Sequence, residues 1–82
     1  MKKKIYHGSF TYRYKYQYYT PKGQAGAVYG PYSGVVDAIY LEGKEDAVWD
    51  DILKGMGSTK TKQYSLVEKE IKNVQDVGET MG

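Results

Sequence analysis

Residues 5–18 read Ile5-Tyr6-His7-Gly8-Ser9-Phe10-Thr11-Tyr12-Arg13-Tyr14-Lys15-Tyr16-Gln17-Tyr18. From Tyr6 onward the even positions are Tyr, Gly, Phe, Tyr, Tyr, Tyr and Tyr, and the odd positions from His7 are polar. Successive side chains of a strand point to opposite faces, so this alternation predicts a half-buried β-strand. Aromatic and β-branched residues suit its pleated surface.

Working outward, Thr20-Pro21-Lys22-Gly23 predicts a type I turn, with proline pre-set at the second position and glycine at the fourth. A return strand then makes a hairpin. The expected register places Tyr18 opposite Ala25, Tyr16 opposite Ala27 and Tyr14 opposite Tyr29. Gly30-Pro31 interrupts the return strand, because proline lacks the amide that a ladder needs, and predicts a bulge, a bend or a short loop. Val35 to Glu42 reads as a buried strand with Asp37 as the polar residue inside it. Gly43 is the expected cap of a helix over residues 44–55. Glu45 and Asp46 suit its first turn, and Val48, Trp49, Ile52, Leu53 and Met56 share one face. The last third supports two patterns. Tyr64, Val67, Ile71 and Val74 match helical spacing, whereas residues 61–67 look like the start of a strand. A small sheet gains from another strand, so residues 61–72 are expected to be one. Residues 77–82 are expected to fray.

The expected fold class is therefore α+β: a small antiparallel sheet led by a long tyrosine-rich hairpin, with one helix packed on it. The 82 residues suffice for one domain, taken as residues 1–82 with a basic arm at 1–4. A chain this short builds a thin core. It has no cysteine, which removes disulfides, thiolate metal sites and a cysteine nucleophile. The expected location is a cytoplasm, since no apolar run approaches the roughly 20 residues of a membrane span.

No constellation of catalytic residues is legible. His7 is the single histidine and has no carboxylate close in sequence. Asp50 and Asp51 diverge by about 100° on a helix, so they make a poor metal pair. The glycines at 23, 26, 30 and 34 follow no phosphate-loop pattern. The chain reads as non-enzymatic, without metal or cofactor.

Charge and aromatic content point to binding. Residues 1–24 carry Lys2, Lys3, Lys4, Arg13, Lys15 and Lys22 with no acid, while the remainder holds six lysines and ten carboxylates. Six of the ten tyrosines lie in residues 6–19. A straight strand from 5 to 19 spans about 50 Å, whereas a 12-residue helix covers about 18 Å. The helix is expected to cover Tyr6, Phe10 and Tyr12 and to leave Tyr14, Tyr16 and Tyr18 partly exposed beside Tyr29 and Tyr32. Exposed tyrosines are contact residues, with a large rigid face and one hydroxyl. The expected partner-binding set is Arg13, Tyr14, Lys15, Tyr16, Tyr18, Lys22, Tyr29 and Tyr32. A protein partner ranks first. Nucleic acid ranks second, because tyrosines and cations alternate onto opposite faces and the total charge is only +2. A structural or homo-oligomeric role is third.

The stretch Val36-Asp37-Ala38-Ile39-Tyr40-Leu41-Glu42-Gly43-Lys44-Glu45-Asp46-Ala47-Val48 runs a buried strand into an acidic-capped helix. With the order strand, turn, strand, helix, strand, it resembles short α+β proteins of phages and mobile elements, some anti-CRISPR proteins among them. That resemblance implies an inhibitor acting by steric binding to a host nucleic-acid-handling or defence complex in the host cytosol. It is one of architecture and transfers no residue roles.

Overall fold

The computed structural model describes residues 2–81. Strand β1 runs Lys2–Tyr19, β2 Ala25–Leu41 and β3 Lys62–Met81, with one helix, α1, at Glu45–Gly55. The three strands form one antiparallel sheet in the order β2-β1-β3. The α+β expectation is thus corrected: the molecule is mostly sheet, with one short helix rather than a helical layer. Its extents are 50 × 23 × 13 Å. An 11-residue helix is about 16 Å long, so it covers a minor part of that length.

The alternating segment is the central strand, paired with β2 on one side and β3 on the other. Its even residues point toward α1 and its odd residues toward the other face. The turn closes as expected, with the Gly23 amide donating to the Thr20 carbonyl at 2.8 Å and a positive φ of 87° at Gly23. The register differs from expectation. Tyr19 pairs with Ala25, Gln17 with Val28, Tyr16 with Tyr29 and Tyr14 with Tyr32. Two irregularities intervene, and one of them is the bulge expected at Gly30-Pro31. β2 then continues unbroken to Leu41, so residues 35–42 are not a separate strand. Nor are they uniformly buried, since Val35 is 61% and Ile39 68% exposed on the face that α1 does not cover.

The final segment is strand, and its ambiguity has a physical source. Tyr16, Tyr14, Tyr12 and Phe10 face Tyr64, Leu66, Lys69 and Ile71 in turn. A bulge between Leu66 and Glu68 inserts one residue. The inward residues are therefore spaced two, three and two apart, which breaks the strict alternation that marks a strand. Residues 77–81 are not frayed: Gly78 to Met81 pair with Ile5 to Lys2. Lys2 to Lys4 are correspondingly the start of β1 and not an arm. Gly82 lies outside the described residues.

Phe10, Tyr40 and Trp49 form the buried core. Phe10 meets Trp49 edge-on at 4.9 Å and Tyr40 edge-on at 5.2 Å between ring centroids. Tyr12 reaches Trp49 at 6.5 Å and Tyr6 reaches Tyr40 at 5.9 Å, so all three expected rings border this core. Val48 and Ile52 add partial cover, while Leu53 lies outside the cluster. Gly34 admits the Tyr12 ring: a Cβ there would sit 2.4 Å from Tyr12 Cζ. The N-cap of α1 is Lys44, with no side-chain cap bond, rather than Gly43.

Candidate functional site: a tyrosine-covered, acid-free sheet end

Beyond the reach of α1, the same sheet face continues as tyrosine. β1 contributes Tyr14, Tyr16 and Tyr18, β2 contributes Tyr29 and Tyr32, and β3 contributes Tyr64. The bulge decides this. Tyr29 and Tyr32 are three apart, and in a regular strand they would face opposite ways. Gly30 and Pro31 together lie opposite the single residue Lys15, which re-phases β2 and brings both rings to one face. Gly30 has φ 119°, and a Cβ there would lie 3.0 Å from the Tyr14 carbonyl oxygen, so the position requires glycine.

Tyr16 is the hub. Its ring stacks near-parallel with Tyr29 at 5.4 Å and Tyr32 at 5.9 Å. It also meets Tyr64 at 5.3 Å and Tyr18 edge-on at 5.7 Å. Tyr14 links this cluster to the core through Tyr12 at 6.0 Å. Tyr14 and Tyr16 are half-buried by their neighbours, whereas Tyr18, Tyr29 and Tyr32 are 41–43% exposed. The Lys62 ammonium lies over the rings of Tyr16 at 4.5 Å, Tyr64 at 5.2 Å and Tyr18 at 5.6 Å, a cation–π arrangement. The pKa of Lys62 is raised, first by the hydrogen-bonding influence of Tyr64 against the opposing effect of burial. Lys62 therefore stays charged. The Tyr16 phenol is also raised, first by the hydrogen-bonding influence of Tyr32 and then by burial, and so stays neutral.

The expected cations take other positions. Arg13 and Lys15 project from the opposite face, between Ser33 and Glu68 and beside Ser65 respectively. Lys22 sits in the hairpin turn. The loop before β3 joins this end through the Tyr19 amide, which donates to the Thr61 carbonyl at 2.8 Å, and it brings Lys60. Across residues 13–34 and 59–67 there are five cations and no carboxylate, and all ten acids lie elsewhere. The charge asymmetry along the chain maps only in part onto the long axis: Arg13, Lys15 and Lys22 lie at the tyrosine end, whereas Lys2 to Lys4 lie at the far end, where Lys4 approaches Asp76 at 4.0 Å. Sequence reasoning missed Lys60, Lys62 and Tyr64. Their alternate spacing was the available signal, but its meaning depended on β3 pairing with β1.

Elsewhere, His7 stands between Ile39 and Gln75 in register. Among the described residues no group of three or more His, Cys, Asp or Glu could hold a metal. No helix among them is long and apolar enough to cross a membrane. No family model, curated protein or solved structure matches the chain.

Proposed function

We propose that this chain is a non-enzymatic binding protein that docks through its tyrosine-covered end on an acidic surface of a protein partner. The observation that carries this reading is the contiguous tyrosine cluster around Tyr16, left uncovered by α1, with Lys62 over its rings and no carboxylate within residues 13–34 and 59–67. The rings pack on one another and are thereby pre-ordered, so little side-chain entropy is lost on contact. Tyrosine anchors supply buried area and hydroxyl donors at low conformational cost. The five cations steer the approach of an acidic partner. A basic end does not mimic nucleic acid. An inhibitor of a nucleic-acid-handling complex that works through this end would therefore engage an acidic patch, not a phosphate-gripping groove.

Lys62 favours a second reading. It brings a cation onto the aromatic face, and the local charge far exceeds the net +2. Both features suit single-stranded nucleic acid, where bases stack on rings and cations meet phosphates. The protein reading ranks first because Tyr16, the centre of the cluster, is half-buried among Tyr29, Tyr32, Tyr64 and Lys62, whereas base stacking needs a free ring face. The test is capture from nuclease-treated host extract, comparing the native chain with the triple variant Tyr18→Ser, Tyr29→Ser, Tyr32→Ser. A protein retained by the native chain and lost from the folded variant supports the proposal. Identical capture by both refutes it. Anisotropy with labelled single-stranded DNA and RNA decides the second reading, which requires binding that weakens steeply with salt.

A further inference from the structure

The two outer edges of the sheet differ. β3 carries Lys62, Glu68, Lys69, Glu70, Lys72, Asp76 and Glu79, and its backbone is broken by positive φ at Asn73 and Gly78. Such charges and irregularities are how an exposed edge is kept from pairing. Over its 17 residues β2 carries a single charge, Asp37. Its regular part, from Tyr32 to Leu41, pairs residue for residue with β1 and has no partner on its outer side among the described residues.

The direction of the free groups follows from one hydrogen bond. The Glu42 amide donates to the Lys4 carbonyl at 2.9 Å. Backbone groups alternate along an antiparallel strand, so the even residues of β2 face β1. Ser33, Val35, Asp37 and Ile39 then present their amides and carbonyls outward. Beside that edge, on the helix side, lies an open cavity of about 530 Å³ lined by Val36, Ala38, Val48, Ile52 and Met56, with Asp51 among the lining residues. Within residues 37–51 lie Asp37, Glu42, Glu45, Asp46, Asp50 and Asp51, against one lysine, Lys44.

We infer that the outer edge of β2 at Ser33–Ile39 is a strand-addition site for an extended peptide of a partner. That peptide carries apolar side chains at alternate positions and basic side chains between them. Strand addition draws affinity from main-chain bonds and specificity from pockets for alternate side chains. In an antiparallel addition, ligand residues opposite Val35, Asp37 and Ile39 turn their amides to β2 and their side chains to the face bearing Asp37. Those are the basic positions, and their aliphatic stems lie along Val35 and Ile39. The residues between them turn into the cavity beside α1 and are apolar. This site is independent of the tyrosine end.

The probe is a fluorescein-labelled, end-blocked peptide alternating lysine and valine, long enough to span Ser33–Ile39 and read by anisotropy. The site predicts saturable binding, with the amides of Val35, Asp37 and Ile39 protected from hydrogen exchange on titration. A glutamate–valine peptide binds at least about tenfold more weakly. N-methylation of the lysine nitrogens abolishes binding, whereas N-methylation of the valine nitrogens, which face solvent, leaves it. Asp37→Asn weakens binding several-fold, and Tyr18→Ser with Tyr29→Ser leaves it unchanged. The inference is overturned by no binding, by equal binding of the glutamate peptide, or by indifference to N-methylation of lysine. It is also overturned if sedimentation gives a dimer in which the amides of Val35, Asp37 and Ile39 are protected from exchange without peptide.

Discussion

Phe10→Ala removes the centre of a core that has three buried residues. Phe10 is fully buried, and its ring bridges Trp49 at 4.9 Å and Tyr40 at 5.2 Å. Truncating such a ring costs about 3–5 kcal/mol, as lost transfer energy plus a residual cavity. Relaxation will not refill the space, because the facing groups are two rigid rings. At roughly 0.05–0.15 kcal/mol per residue, a chain of 82 residues has about 4–12 kcal/mol in all. The substitution therefore removes about a quarter of the stability at the least, and at the low end unfolds the domain. With a urea slope near 1–2 kcal/mol/M, the midpoint falls by roughly 1.5–5 M. Trp49 is the sole tryptophan, so its fluorescence reports this core directly, and far-UV circular dichroism reports the sheet. A cost below about 1 kcal/mol would show that Phe10 is not the keystone and that the helix packs elsewhere.

Gly34→Ala drives a methyl into the Tyr12 ring and should cost about 1–3 kcal/mol in urea unfolding, with Tyr12→Leu in the same chain relieving part of it. Replacing Tyr18, Tyr29 and Tyr32 together with serine should cost only about 1–2 kcal/mol, since all three are more than 40% exposed; unfolding of that variant would place the rings in the core. Because the Tyr16 phenol is raised in the folded chain, first by Tyr32 and then by burial, its contribution is fully present below about pH 10 and is lost as the pH rises through the folded value. Tyr40, raised by burial first and then by Glu45 and Tyr6, acts in the same sense. The urea midpoint should therefore fall as the pH rises above about 10, and less so in Tyr16→Phe with Tyr40→Phe.

Local patterns in the sequence were legible where one strand or turn decided them. The alternation through Tyr6–Tyr18 gave β1, Thr20–Gly23 its turn and Gly30-Pro31 its bulge. The step from elements to fold failed at the third segment. Tyr64, Val67, Ile71 and Val74 have helical spacing in the sequence, yet Val67 is the extra residue of the bulge after Leu66, and Val67 and Val74 are exposed while Tyr64 and Ile71 are partly buried. With β3 undecided, the balance of helix and sheet was misjudged. Half of the site was visible for the same reason. Tyr14, Tyr16 and Tyr18 share a face by simple alternation, and Tyr29 with Tyr32 needed only the bulge. Tyr64 and Lys62 come from a strand 40 or more residues away, and nothing local in the sequence says which edge of the hairpin that strand joins.

The most direct test of the docking claim is site-specific photocrosslinking. A benzophenone side chain placed at Tyr29 lies on the tyrosine face, and one at Asp50 lies on the exposed side of α1. A partner protein is expected to crosslink from position 29, with a yield that falls with added salt, and to give no adduct from position 50. Crosslinking from position 50 with none from position 29 would contradict the docking claim and move the interface to the acidic end of the molecule.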